Sequence, residues 1–333
     1  ASNTTGSENT AVGSQCLDNN TTGGNNTAMG YHTLGVNTTG NNNTAVGFEA
    51  LDTNTTGVQL VAVGALALDA NTTANYNSAV GYHALGATTT GEENTAIGRI
   101  ALQDNTTGSR NTAVGSGSLE NNTTADNNTA VGRDSLQQNT TGNSNVAVGT
   151  YALDANTTAN NNTALGYAAL TANTTGTQNT AVGAAAGRDT TTGYNCVFVG
   201  DSAGVSNTEG HHNTALGRLA LSDNTTADQN TAVGAEALQK NTADSNTAVG
   251  YQALEENTSG INNVALGAFA LDESTTGYQN TAIGTYALTS NTTANNNTAV
   301  GYNSMGANTT GAQNVAMGYA SLDANTSGSQ NNA

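Results

Sequence analysis

The side chains that could do chemistry in this sequence are few in kind and regularly placed. Asn is followed by Thr-Thr or Thr-Ser at Asn3, Asn20, Asn37, Asn54, Asn71, Asn105, Asn122, Asn139, Asn156, Asn173, Asn224, Asn257, Asn291, Asn308 and Asn325. Each triplet is a formal acceptor for an N-linked sugar, a chemistry that marks surface loops of secreted proteins. Met at a fixed interval, the same Asn could instead bond amide to amide as a ladder. Glycans on neighbouring repeats about 4.8 Å apart would crowd one another, which favours the ladder. A column of acids (Asp18, Asp52, Asp69, Glu120, Asp154, Glu255, Asp272, Asp323) could offer oxygens to calcium. The Gly-Gly-x-Gly-x-Asp repeat of calcium-binding β-rolls is absent, so the column reads as a solvated edge that keeps fibres apart. His32 and His83 share a column three repeats apart, and His211-His212 have no Cys or carboxylate at ligand spacing, so no metal site is expected. Cys16 and Cys196 are separated by about ten repeats, beyond the roughly 7 Å between Cα atoms that a disulfide spans. No grouping of acid, base and nucleophile suggests catalysis, and no cofactor motif is present. The chain is expected not to be an enzyme.

Composition narrows the class further. Close to a third of the 333 residues are Asn or Thr, there is no Pro or Trp, and only 9% are charged. The net charge of −18 leaves six bases, Arg99, Arg110, Arg133, Arg188, Arg218 and Lys240. They are too scattered for a nucleic-acid stripe or a basic membrane patch. No apolar run approaches the roughly 20 residues of a transmembrane helix, and the sequence as given contains no signal peptide. Asn and Thr compete for backbone hydrogen bonds and are poor helix formers.

The elements that position these residues follow from a repeat. The aliphatic residue of each Asn-Thr-Ala-Val-Gly block serves as a marker, running from Val12 and Met29 to Val300 and Met317. Of the 18 intervals between markers, 17 are seventeen residues long; the other, from Val233 to Val249, is sixteen. Gly follows the marker in all 19 copies, Ala precedes it in 18, and Asn stands three places before it in 17. Leu stands five places after it in 16, always preceded by a small residue. Positions two and three after it vary freely and are expected to face water.

The alternation of Thr, Ala, aliphatic and Gly predicts a strand, the Leu segment a second short strand, and Asn-Thr-Thr-Gly a corner. Seventeen residues are too few for a βαβ unit, and tight-hairpin Asn-Gly and Asp-Gly pairs are absent. The expected fold is all-β: a parallel β-solenoid (β-helix or β-roll) of about 19–20 coils, 17 residues per coil, as one array over residues 1–333. Stacking at about 4.8 Å predicts a rod roughly 90 Å long. Its thin core is expected to be stacked Val and Leu columns with Ala filling between.

Copies such as Asn43 to Gly57 and Asn297 to Gly311 resemble repeats of bacterial surface and phage tail-fibre-like proteins. They are similar, more loosely, to the head repeats of trimeric autotransporter adhesins. The resemblance covers essentially the whole chain and implies a β-solenoid on an extracellular fibre, without catalysis. A heptad stalk, a membrane anchor and a carboxy-terminal maturation domain are absent from the sequence, so trimerisation is not carried over.

Coils 183–217 are irregular: Gly187 and Gly204 replace Leu, Phe198 replaces Ala, and Cys196 replaces Asn. Phe198 could fill the space the two Leu vacate, or these residues could mark a lateral contact. The Ala and Gly strip could pack inside against Leu or meet another protomer. Ala1 to Gly13 and the residues up to Ala333 stay in repeat phase, so neither reads as a cap. That suggests a segment of a longer array or end-to-end stacking, although joining Ala333 to Ala1 would skip six residues.

The expected function is structural: a rigid, secreted or cell-surface fibre or filament component that self-associates and carries glycans on the Asn-Thr-Thr stripe. Alternatives are an adhesin head or shaft that binds a surface receptor or glycan, and an ice-binding protein. The last requires Thr and the marker to point outward together.

Overall fold

The computed structural model describes residues 3–333, which are all-β: nineteen three-residue strands, one per coil, and no helix. Strands are numbered in chain order from β1 (Thr10–Val12) to β19 (Val315–Met317). The chain forms two compact units, Ala1–Ala164 and Leu165–Ala333. In the first, β1 to β9 (Val146–Val148) pair in order, each parallel to the next. In the second, β11 (Thr180–Val182) to β19 do the same. The short strand β10 (Thr163–Leu165) falls at the division. Register sets like against like, with Thr10 opposite Thr27 and Ala11 opposite Ala28. Each unit is therefore a parallel β-solenoid of the period read from the sequence. The sixteen-residue interval is absorbed in a turn, Asn241 to Ala243, and Thr231 still pairs with Thr247.

Two expectations about the coil are corrected. The marker is not in the core. In β2 to β19 the middle residue is buried and its neighbours face out: Ala28 and Ala96 are fully buried, whereas Met29 is 46% and Ile97 44% exposed. Period two places Ala and the marker on opposite faces but does not say which face is inside. The lumen decides it. Leu from the opposite wall is fully buried in almost every coil and fills the interior, leaving room for nothing larger than Ala across from it.

The Leu segment is also not a strand. Leu136 has φ 52° and Asp134, two residues earlier, 54°, and the same signs recur in nearly every coil. This alternation turns successive peptide planes in opposite senses. The Asp134 N–H bonds back to Ser116 O (3.0 Å), and the Leu136 N–H bonds forward to Ala152 O (3.0 Å). Coil-to-coil bonding thus continues without extended backbone. A left-handed residue costs about 1–2 kcal/mol, and burying Leu gives back about 1.5–3 kcal/mol. Crowding at Cβ disfavours the conformation for β-branched residues, and Ile100, two residues before Leu102, is the partly exposed exception among the partner positions. That explains Leu, Met or Gly at the Leu position in every coil, never Val or Ile.

Candidate functional site

The strand face presents two outward columns. One holds Thr, with Val at positions such as Val61, Val146 and Val264; the other holds Val, Ile, Leu or Met. Neither contains a charged residue in any coil. Val12, Leu216 and Leu266 are each about half exposed, and the rest of their column is at least partly exposed, with no marker buried. Contiguous apolar surface of more than a few hundred Å² on a soluble protein marks an interaction site. Thr and marker point the same way, which is the orientation an ordered-water face requires.

Behind that face lie the Asn residues, arranged as two ladders. At the Asn-Thr-Thr corner, the Asn122 amide donates to Asn105 Oδ1 (2.8 Å) and to Ala125 O (3.1 Å). Asn139 then donates to Asn122 Oδ1 (3.0 Å). Most of these Asn, from Asn20 to Asn308, are buried; Asn3 and Asn325, on terminal coils, are not. In an unbroken rung such as Asn122 the nitrogen that would carry an N-linked sugar therefore has both its hydrogens engaged inside the protein, and a glycan there would have to open the coil.

The second ladder is formed by the Asn three places before the marker. The Asn128 N–H donates to Asn111 Oδ1 (3.0 Å), and the Asn128 amide donates to Gly142 O (2.9 Å). Sequence reasoning missed its role, although its constancy in 17 coils was the signal. Each such bond contributes about 1 kcal/mol net, and an orphaned buried partner costs about 1–3 kcal/mol.

The corner ladder is interrupted where Thr88 and Ser274 stand for Asn, leaving Asn71 Oδ1 and Asn257 Oδ1 buried without a partner. Substituting Ser274→Asn should restore the rung. We expect a gain of about 1 kcal/mol in urea unfolding.

The acids are less solvated than expected. Asp18 and Asp323 are exposed, but Asp52, Asp69, Glu120, Asp154, Glu255 and Asp272 are only partly so. They follow directly on the buried Leu, which draws them against the coil wall. Asp52 pairs with His32. Burial, reinforced by Glu255, Glu273 and Glu256, pushes the Asp272 carboxyl up to about 6. The folded state then holds a proton that the unfolded chain releases near pH 4. Asp272 should therefore contribute stability below about pH 4 and lose that contribution as pH rises through about 6. In Asp272→Asn this fall should be absent, leaving the variant about 1 kcal/mol more stable at pH 7 after solvent screening. Urea titrations at pH 4 and pH 7 measure the difference.

The irregular coils close on themselves. Cys196, Phe198, Gly187 and Gly204 are all buried, so these side chains and glycines pack inside the coils. A Cβ on Gly187 would lie 2.6 Å from Phe198 Cδ2, and one on Gly204 2.3 Å from Phe198 Cδ1. The ring occupies the volume that two Leu side chains fill elsewhere. Cys196 takes an Asn position, its N–H donating to Asn179 Oδ1 (3.0 Å) and its thiol to Gly210 O (3.3 Å). Burial pushes that thiol up to about 11. Cys16 is buried too, and both thiols are free.

The variable positions carry aromatic runs on the outside. Tyr251, Phe269, Tyr286, Tyr302 and Tyr319 follow one another on successive coils with centroids 5.1 to 6.0 Å apart. Tyr194 stacks on His211 at 4.0 Å. No group of three or more His, Cys, Asp or Glu among the described residues is gathered closely enough to hold a metal. No protein-family model matches the sequence, and none of the curated proteins is significantly similar to it.

Proposed function

We propose that the chain is a structural protein, a stiff length of an extracellular fibre or filament at the cell surface that packs laterally against further copies of itself. The observation that carries this reading is the uncovered aliphatic column of the strand face. A second copy has the same coil spacing, so its side chains can interdigitate rung by rung where an unrelated surface would match only locally. The face is also free of charge, so chains of net charge −18 can meet there without opposing like charges. In-register backbone pairing and the buried Asn ladders support stiffness and resistance to proteolysis.

Sedimentation and electron microscopy of the purified chain test the proposal. Lateral assemblies are expected, and a Met29→Glu/Ile97→Glu variant, its charges four coils apart, should dissociate to single chains with only a small loss in unfolding stability, since both side chains are about half exposed. A wild-type chain that stays monomeric at all concentrations and forms no fibre would refute it.

A second reading rests on the same geometry. Regular Thr hydroxyls and methyl groups on a fixed lattice could order water at an ice surface. Thermal hysteresis separates the two: a monomer that depresses the freezing point favours ice binding, and an assembling chain without hysteresis favours the fibre.

A further inference from the structure

The corner that buries its Asn exposes something else. In the Asn-Thr-Thr triplet the first Thr is engaged: Thr106 Oγ1 donates to Thr123 O (2.9 Å), and Thr123 Oγ1 to Thr140 O (3.1 Å). The second Thr behaves differently. Thr22, Thr39, Thr56, Thr107, Thr124 and Thr141 are exposed, and their hydroxyls make none of the bonds that lock the corner together. A position that faces water and makes no side-chain hydrogen bond should vary, as the two positions after the marker Gly do. This one does not. It is Thr or Ser in every coil except where Glu209 stands and in the shortened turn from Asn241 to Ala243. Its backbone φ is not left-handed, so no special conformation demands Thr there. A hydroxyl is retained where the fold has no use for it.

We infer that this column is an O-glycosylation site, with the second Thr or Ser of each corner, and not the buried Asn, as the acceptor. The donor is a nucleoside-diphosphate sugar brought by a separate transferase. Thr Oγ1 attacks the anomeric carbon, and a carbon–oxygen bond forms as the bond from that carbon to the phosphate oxygen breaks. The hydroxyl proton passes to a base of the transferase, and the nucleoside diphosphate leaves. Acceptors on successive coils stand about 4.8 Å apart. Branched glycans at that spacing would crowd one another, as they would on the Asn column, so each acceptor is expected to carry a single sugar rather than a branched chain. The inference does not depend on lateral assembly, which a glycosylated monomer would refute by itself.

Peptide-resolved mass spectrometry of the chain from its native source tests it. Peptides containing Thr107, Thr124 and Thr141 should each be heavier by whole sugar residues, and alkaline β-elimination should release them. The peptide containing Glu209 should carry no sugar at that corner, an internal control. An unmodified native chain would overturn the inference, as would sugars on the Asn amides that resist β-elimination.

Discussion

Replacing Phe198 with Ala is expected to destabilise the second unit by about 3–5 kcal/mol, the usual cost of emptying a buried phenyl site. The opposite wall cannot relax into the space, because it offers only Gly187 and Gly204. Restoring the consensus there gives a stronger test. Gly187 and Gly204 have φ 58° and 57°, matching the left-handed values of Leu elsewhere, so Leu fits their backbone. With Phe198 present, Gly204→Leu would drive Cβ to 2.3 Å from the ring and should be as damaging as the cavity. In the triple variant Phe198→Ala/Gly187→Leu/Gly204→Leu, both faults cancel and stability should return to within about 1 kcal/mol of wild type. Coupling of this size is confined to residues in direct contact. Hydrogen exchange of the amides from 183 to 217, alongside urea unfolding, measures it. A triple variant no better than its parts would show that Phe198 does not occupy the Leu space.

The second large effect separates two glycines only two residues apart. Gly115 has φ 140°, and a Cβ there would lie 2.4 Å from Gly132 O in the next coil, a rigid backbone atom. Gly115→Ala must both adopt a conformation that L-residues avoid and push the coils apart. A loss of about 3 kcal/mol or more is expected from combined strain and lost pairing. Gly117 has φ 71°, but its column holds Ala168, Ala185 and Ala320 in other coils, and its nearest obstacle is the Asp134 carboxylate, the end of a side chain rather than rigid backbone. Gly117→Ala should therefore lie within about 0.5 kcal/mol of wild type. Equal losses at the two sites would disprove the account of the marker Gly.

How much of this was legible in the residues depended on what periodicity encodes. A fixed seventeen-residue interval carries the parallel, in-register stack, because each residue must then meet its own counterpart, as Thr10 meets Thr27. The Asn ladder at the corner followed from the same logic. Periodicity does not state which side of a strand is inside, and the general tendency of bulky apolar residues to be buried points the aliphatic marker inward, the wrong way here. The correcting signal was already in the sequence. Phe198 replaces Ala in the same stretch where Gly187 and Gly204 replace Leu, and such compensation requires Ala and Leu to face each other across one lumen. The Leu segment misled for another reason: Leu suits strands and left-handed turns alike, and only the exclusion of Val and Ile from its column distinguishes them. The partial burial of Asp69 and Asp272 follows from their attachment to that turn, so it could not be read before the turn was known.

The shortened corner between Asn241 and Ala243 bears on how such a molecule changes over generations. Strands on either side keep their partners although a residue is missing between them. Each rung is fitted only to the one before and the one after. Duplicating or deleting seventeen codons would thus insert or remove a piece whose neighbours already accept it. Recombination between near-identical stretches of the gene could lengthen or shorten the product in whole steps, making reach a heritable quantity that selection can adjust without devising a new fold.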